Sequence, residues 1–220
     1  MKEFKRIISR ASEDIGIILT DREIERLTTY HRELLFWNEK MSLISIKSPL
    51  DVPKHFIDSL TAVECIKNEH ARLLDIGTGA GLPGIPLKIK MESLTVTLMD
   101  SSRKKTSFLK GVIRKLGLND IFVVNRRAES LTDDKHYRGS FDVVISRAAF
   151  KIPYLLTLGS SFLSEGGTLV AMKGKNADVE LEESANAVRE TGFALSGYHE
   201  IKLPVTGELR KILCFNKISL

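Results

Sequence analysis

Asp75 closes an apolar run, Leu73-Leu74-Asp75-Ile76, and is followed by Gly77, Gly79, Gly81 and Gly84 before the chain turns apolar again at Ile85. Residues of these types in this order predict a strand, a glycine loop and a helix. Glycines admit positive φ and a close approach of backbone to ligand, while Pro83 and Gly84 suit the first turn of a helix packed on its strand. The spacing Gly79-x-Gly81-x-x-Gly84 satisfies the dinucleotide fingerprint, but many ligands share glycine-rich turns. The acid separates them: a carboxylate at the end of the strand repels a pyrophosphate and attracts a cation. S-adenosyl-L-methionine, with its sulfonium and ammonium groups, fits that charge. A tight turn holding no ligand is the alternative.

A second acid, Asp100, ends the apolar run Val96-Thr97-Leu98-Met99 about two dozen residues further on. That is the range at which a carboxylate meets ribose hydroxyls beside a glycine loop. The same acid also suits the N-terminus of the helix that follows, and both roles can hold together. Arg127-Ala128-Glu129 and Ser146-Arg147 follow the third and fourth strands, so both emerge at the carboxyl edge where open sheets bind ligands. A surface acid for Glu129 and a structural ion pair for Arg147 are the competing readings. His55 and Asp58 share one helical face and reach either the cofactor or a core partner, while Trp37 reads as a packing anchor.

Two kinds of element must position these residues. Residues 1–68 read as helical: Phe4, Ile7, Ile8 and Ala11 recur at helical spacing, and Thr20-Asp21-Arg22-Glu23 is a capping box ahead of Ile24, Leu27, Leu34 and Leu35. Ser48-Pro49-Leu50-Asp51 opens a further helix with Phe56, Ile57, Leu60 and Val63. From Arg72 the pattern alternates, predicting strands over 72–76, 95–99, 121–124, 141–145, 168–172, 193–203 and 211–217, and helices over 82–90, 102–116, 151–163 and 178–191. The expected fold is α/β: a parallel, doubly wound sheet closed by an antiparallel C-terminal hairpin, the plan of class I methyltransferases, over 69–220, with 1–68 as a helical cap.

At 220 residues and 43% hydrophobic content, the chain can bury one full core. No stretch approaches the roughly 20 apolar residues of a membrane span, so a cytoplasmic protein with no membrane partner is expected. Cys65 and Cys214 stand far apart without histidine clusters, which predicts reduced, buried thiols and no metal site. A net charge of +5 favours an anionic partner.

The stretch Asp75 to Leu87 (DIGTGAGLPGIPL), Leu98-Met99-Asp100-Ser101 with Lys104-Lys105-x-x-Phe108-Leu109, Ser146-Arg147-Ala148 and Lys173-Gly174 resembles the GidB family, the RsmG-type methyltransferases. Leu35-x-Trp37-Asn38 and His55-x-x-Asp58-Ser59-Leu60 extend the resemblance over nearly the whole chain, while Ser42-Leu43-Ile44-Ser45 and Ala149-Phe150-Lys151 depart from the family's usual pattern. The resemblance implies transfer of a methyl group from S-adenosyl-L-methionine to N7 of a guanine in a loop of small-subunit (16S) ribosomal RNA. It also implies that Gly77 and Leu82 line the methionine side, that Ala128 and Glu129 flank the adenine, and that Arg147 closes the pocket.

With ribosomal RNA or an assembling small subunit as partner, Lys104, Lys105, Arg126 and Arg127 become candidate phosphate contacts, each also readable as a solvated helix or loop face. Lys173 and Lys175, nearer the crevice, are candidate contacts to RNA or guanine. Guanine N7 carries a lone pair and no proton, so alignment, not a general base, is what catalysis needs. Arg147 and Lys173 are accordingly assigned to substrate positioning, facing O6, phosphate or the cofactor carboxylate. A monomer is expected. A small-molecule methyltransferase, an RNA-binding module that senses the cofactor without turnover and, more remotely, an NAD-dependent oxidoreductase are the alternatives.

Overall fold

Five parallel strands carry the glycine loop and its neighbours, and two antiparallel strands complete the sheet. A computed structural model describes residues 1–218. The strands are β1 (Arg72–Ile76), β2 (Thr95–Met99), β3 (Ile121–Val124), β4 (Phe141–Arg147), β5 (Leu163–Lys173), β6 (Phe193–Lys202) and β7 (Leu209–Lys217), in the order β3-β2-β1-β4-β5-β7-β6. β1 pairs with both β2 and β4, and the chain crosses over between them, so β1 and β4 flank the switch point where a crevice opens. β7 runs antiparallel to β5 and β6.

The apolar strands alternate between two cores. Leu73, Val96, Leu98, Val143, Ile145 and Val170 face one layer; Leu74, Ile76, Met99, Val144, Leu169 and Ala171 face the other. The first layer is covered by α1 (Lys2–Asp14), α2 (Asp21–Met41), α3 (Asp51–Leu60), α4 (Gly84–Lys90) and α5 (Arg103–Leu116). The second is covered by α6 (Ile152–Phe162), α7 (Ala177–Glu183) and α8 (Ala185–Glu190). Both faces of β1, β2 and β4 are therefore largely dry, which is why these strands are apolar at most positions, whereas β6 is largely open to solvent.

The N-terminal helices share the first core: Phe4 and Ile8 of α1, Tyr30 and Leu34 of α2 and Phe56 and Leu60 of α3 are buried in it. Tyr30 stacks on Phe56 with ring centroids 4.9 Å apart, and Phe4 meets Phe56 edge-on at 5.9 Å. Trp37 is partly buried against the same core, as a packing anchor should be, whereas Leu35 faces solvent. The capping box is present: the Thr20 side chain accepts from Glu23 N–H at 3.3 Å, and the Glu23 carboxylate accepts from Thr20 N–H at 2.6 Å. Thr20→Ala should lower stability by about 1 kcal/mol, read as a reduced urea midpoint at unchanged m.

Element ends differ from the expected ones for local reasons. α3 begins at Asp51, not at Ser48, because the Asp51 carboxylate accepts from Lys47 N–H at 2.6 Å and Ser48 N–H at 2.8 Å and folds that stretch into a turn. β5 begins at Leu163, opposite Phe141, ahead of the two glycines at 166 and 167. The helix expected over 178–191 is two helices, parted at buried Ser184, whose hydroxyl donates to the Glu180 carbonyl.

Candidate active site

The glycine loop is tied to the end of β2. Gly77 and Thr78 N–H donate to the Met99 carbonyl at 2.9 and 3.1 Å, and Gly79 N–H donates to Asp100 Oδ2 at 3.0 Å. Asp100 Oδ1 accepts from Ser102 N–H at 2.8 Å, so this acid holds both the loop and the approach to α5. Each carboxylate oxygen retains a lone pair for a ligand hydroxyl. The glycines divide by neighbour. A Cβ at Gly77 would stand 2.9 Å from Ala149 Cβ and 3.2 Å from the Phe150 ring, so the segment after β4 lies directly over it. Gly84 packs on the sheet, where a Cβ would come within 2.3 Å of Leu98 and 2.9 Å of Asp75. Gly81 is closed in by Ile85 and Leu109, while the space at Gly79 is open.

Asp75 is fully buried. Its Oδ2 accepts from the Thr78 hydroxyl at 2.6 Å and from Gly84 N–H at 2.9 Å, which fixes the loop and the start of α4. Among the described residues Oδ1 has no hydrogen-bond partner. Burial raises its pKa from 3.8 to about 6, against the lowering effect of those two hydrogen bonds. A buried carboxylate with a free oxygen is under-satisfied until a cation arrives.

Among the described residues several cavities open at the carboxyl edge, including one of about 470 Å³ between Arg147 and the start of α3; two others flank the segment after β4. The first, about 310 Å³, is lined by Ile76, Gly77, Met99 and Asp100, by Arg126 to Glu129, and by Phe150. Asp75, Gly79, Gly81 and Leu82, expected at the cofactor, are not among the residues that line it. Ala128 is buried at the head of a 3-10 turn, Ala128–Leu131, and Glu129 accepts a hydrogen bond from the Tyr154 hydroxyl, which holds its carboxyl below the usual range. The Asn125 side chain donates to the carbonyls of Asp100 and Ser101 at 3.1 and 2.9 Å, fastening this rim to β2.

The second cavity, about 320 Å³, is lined by His55, Asp58, Arg147, Ala148, Lys173 and Arg210, among others. Arg147 turns away from the first cavity towards α3, donating to Asp58 Oδ2 and meeting His55 Nδ1, both at 3.2 Å. Arg210 Nε stands 3.2 Å from the other Asp58 oxygen, so one buried carboxylate serves two guanidinium groups. Burial, aided by the Arg147 charge, lowers the His55 pKa to about 4, so its ring is neutral and accepts from Arg147 at neutral pH. The segment Ala148 to Phe150 is the wall between the cavities, with Ala148 at φ +55°.

Lys173, expected as a contact to RNA or guanine, is paired within the fold. It is 9% exposed, and its ammonium donates to Glu180 at 2.8 Å and to the Phe150 carbonyl. Glu180 also accepts from Ile152 N–H at 2.7 Å, so the pair braces the dividing wall against α6. Lys104, Arg126, Arg127 and Lys175 are exposed and Lys105 is half-buried; the arginines line the first cavity, Lys104 and Lys105 lie in the first turn of α5, and Lys175 lies in the turn after β5.

Tyr30, Phe150, Glu180 and Arg210 escape sequence reasoning as site residues. Tyr30 donates from α2 to the Ala80 carbonyl of the glycine loop, across 50 positions of chain. No local spacing announces such a contact. Arg210, just after a turn, carries at most the signal of a basic residue near the hairpin.

The sheet order, the glycine loop after β1 and an acid at the end of β2 define a class I methyltransferase. A methyltransferase from Pyrococcus furiosus has the same fold, with a TM-score of 0.63 at 16% identity over 89% of this chain and 99% of that one. The family model for GidB, rRNA small subunit methyltransferase G, matches residues 23–206. Ribosomal RNA small subunit methyltransferase G of Syntrophus aciditrophicus is 44% identical over 96% of this chain and 89% of the relative. Its counterpart in Thermoanaerobacter sp. is 38% identical over 99% and 91%. The chain belongs to the GidB family, and it is an enzyme of ribosomal RNA methylation.

Proposed function

We propose that this chain methylates N7 of a guanine in a loop of small-subunit ribosomal RNA, with S-adenosyl-L-methionine as donor. The observation that carries this reading is the pair of adjoining cavities, one with the acids and backbone that suit a cationic nucleoside, the other lined by guanidinium groups. The cofactor supplies an electrophilic methyl group when bound. The unsatisfied Oδ1 of buried Asp75 and the remaining lone pairs of Asp100 are the acceptors proposed for its cationic and ribose ends. Ala128 and the Phe150 ring offer apolar faces for a flat base.

The acceptor guanine enters the second cavity. N7 needs no proton removed, and the base gains positive charge as it reacts, so cations must stay off the ring nitrogen. Arg147, already paired with Asp58, offers its remaining N–H groups to O6 or phosphate. Lys173 is a positioning residue: neutralised by Glu180, it holds the Phe150 carbonyl and thus the wall that sets the distance between the reactants. Comparing ribosomal RNA nucleosides by mass spectrometry, from cells with and without this chain, tests the activity; an unchanged 7-methylguanosine level would sink it.

Exposed Lys104, with Lys105, Arg126 and Arg127, forms the face for RNA phosphates. Lys104→Ala combined with Lys105→Ala should weaken RNA binding and reduce the slope of log K against log salt by about 1–2. Filter binding across a salt series reads this, with cofactor affinity unchanged. Residues 1–68 act as a cap that contributes His55 and Asp58 to the methyltransferase unit of 69–220. The protein works in the cytoplasm as a monomer, consistent with no described helix being long and apolar enough to cross a membrane and with exposed apolar residues, such as Ile18, Phe122 and Val179, on separate elements. Sedimentation checks the monomer.

A further inference from the structure

The fold joins three side chains that their linear spacing keeps apart. Cys65 ends the 3-10 turn Thr61–Cys65 after α3, His199 lies on β6 and Cys214 on β7. One ligand atom from each, two sulfurs and a ring nitrogen, all lie within 4.8 Å of one another. Both cysteines are free and buried, and His199 is half-buried. Spacing along the chain points to no metal site; the fold nonetheless brings these three side chains together.

The hairpin explains the convergence. An irregularity between Leu195 and Gly197 sets Gly197 opposite Cys214 and His199 opposite Ile212. Gly197 and His199, two apart on a strand, share a face. With no side chain at 197, the imidazole leans into the space over Cys214: a Cβ there would stand 3.3 Å from His199 Nε2 and 3.6 Å from Cys214 Sγ. Cys65 approaches from the helical layer and lines a surface cavity of about 280 Å³ on its other side.

We propose that Cys65, His199 and Cys214 bind a soft divalent cation of the zinc type. Two thiolates and an imidazole are the donors such an ion prefers, and three protein ligands leave its fourth position to solvent or a small exogenous ligand. Zinc–sulfur and zinc–nitrogen bonds of about 2.3 and 2.0 Å put tetrahedral ligands about 3.5–3.8 Å apart, so side-chain rotation closes the cluster. Binding releases two thiol protons to solvent. The loaded site is neutral, one divalent cation against two thiolates, and so is tolerated in a half-buried position. The ion ties the turn after α3 to the hairpin, close in sequence to Asp58 on α3 and on the same strand as Arg210, the ion pair of the second cavity.

Cobalt(II) is the probe. The reduced full-length chain, titrated with Co²⁺ in the presence of a phosphine reductant, should develop sulfur-to-cobalt charge-transfer absorption that saturates at one equivalent and disappears when Zn²⁺ is added. Zn²⁺ should also raise the melting temperature. Cys214→Ser should lose the band. His199→Ala, on an edge strand and half exposed, should fold normally by circular dichroism yet bind Co²⁺ more weakly and lose the Zn²⁺ effect on melting, and His199→Cys should restore both with a stronger band. A reduced parent chain without the band overturns the site, as does a band that survives Cys214→Ser. Carboxylate binding elsewhere gives no sulfur charge transfer, and the reductant prevents a disulfide from interfering.

Discussion

Asp75→Asn should melt at a higher temperature than the parent at pH 8 and bind S-adenosyl-L-methionine far more weakly. Folding raises this carboxyl from 3.8 to about 6, because burial penalises its charge. Between those two pH values the folded chain keeps a proton that the unfolded chain gives up. Stability therefore falls as pH rises through that window and stays reduced above it, by about 3 kcal/mol at most. Asparagine removes the charge while its carbonyl can still accept from Thr78 and Gly84. Its amide is left unpaired at a cost of about 1 kcal/mol, so a net gain of about 1–2 kcal/mol, or about 2–8 °C in a chain of this size, is expected at pH 8. Below pH 4 the gain should vanish.

The loss of binding has the same origin. A cationic ligand favours the ionised carboxylate, so affinity in the parent should tighten by up to tenfold per pH unit as pH rises from 4 towards 6 and then level off. In Asp75→Asn that dependence should be flat. Calorimetry at several pH values, paired with thermal melts, measures both. If the variant melts lower than the parent at pH 8 and keeps parental affinity, Asp75 is a purely structural acid.

What could be read along the chain was what neighbours along the chain determine. The run through Asp75 and the four glycines shows strand, loop and helix because each turn there depends on a residue's own φ or on the lack of a side chain. Asp100 was legible for the same reason, and the structure adds that its oxygens hold the loop and the start of α5 before any ligand does. The break at Ser184 was hidden because serine is tolerated in helices, and only its burial and its bond to Glu180 reveal the kink. Arg147 met Asp58 across 89 positions, a contact made by topology. The pairing of Lys173 with Glu180, seven residues on, was not legible, because sequence cannot show that the acid folds back over it. Long-range pairs of this kind decide which charged groups remain available to a substrate, and they are settled only when the helical layer meets the sheet.

Those pairs bear on the acceptor atom. With Arg147 engaged by Asp58, the Nδ1 lone pair of weakly basic His55 taken by Arg147 and Lys173 paired with Glu180, the second cavity offers hydrogen-bond donors and no strong base poised to remove a proton. An exocyclic amine or a ring N–H as nucleophile would need one; N7 does not. In an A-form helix N7 lies in the deep, narrow groove, so the guanine must come from a loop or be splayed from its stack to enter. A ribosomal RNA substrate with 7-deazaguanine at the modified position keeps O6, shape and the pairing edge but replaces the nucleophilic nitrogen with carbon. Transfer of labelled methyl should fall to background while RNA affinity stays within about twofold, a difference of at most about 0.4 kcal/mol. Undiminished transfer would place the reaction at another atom, and a cavity without a base would then have to find one in the substrate itself.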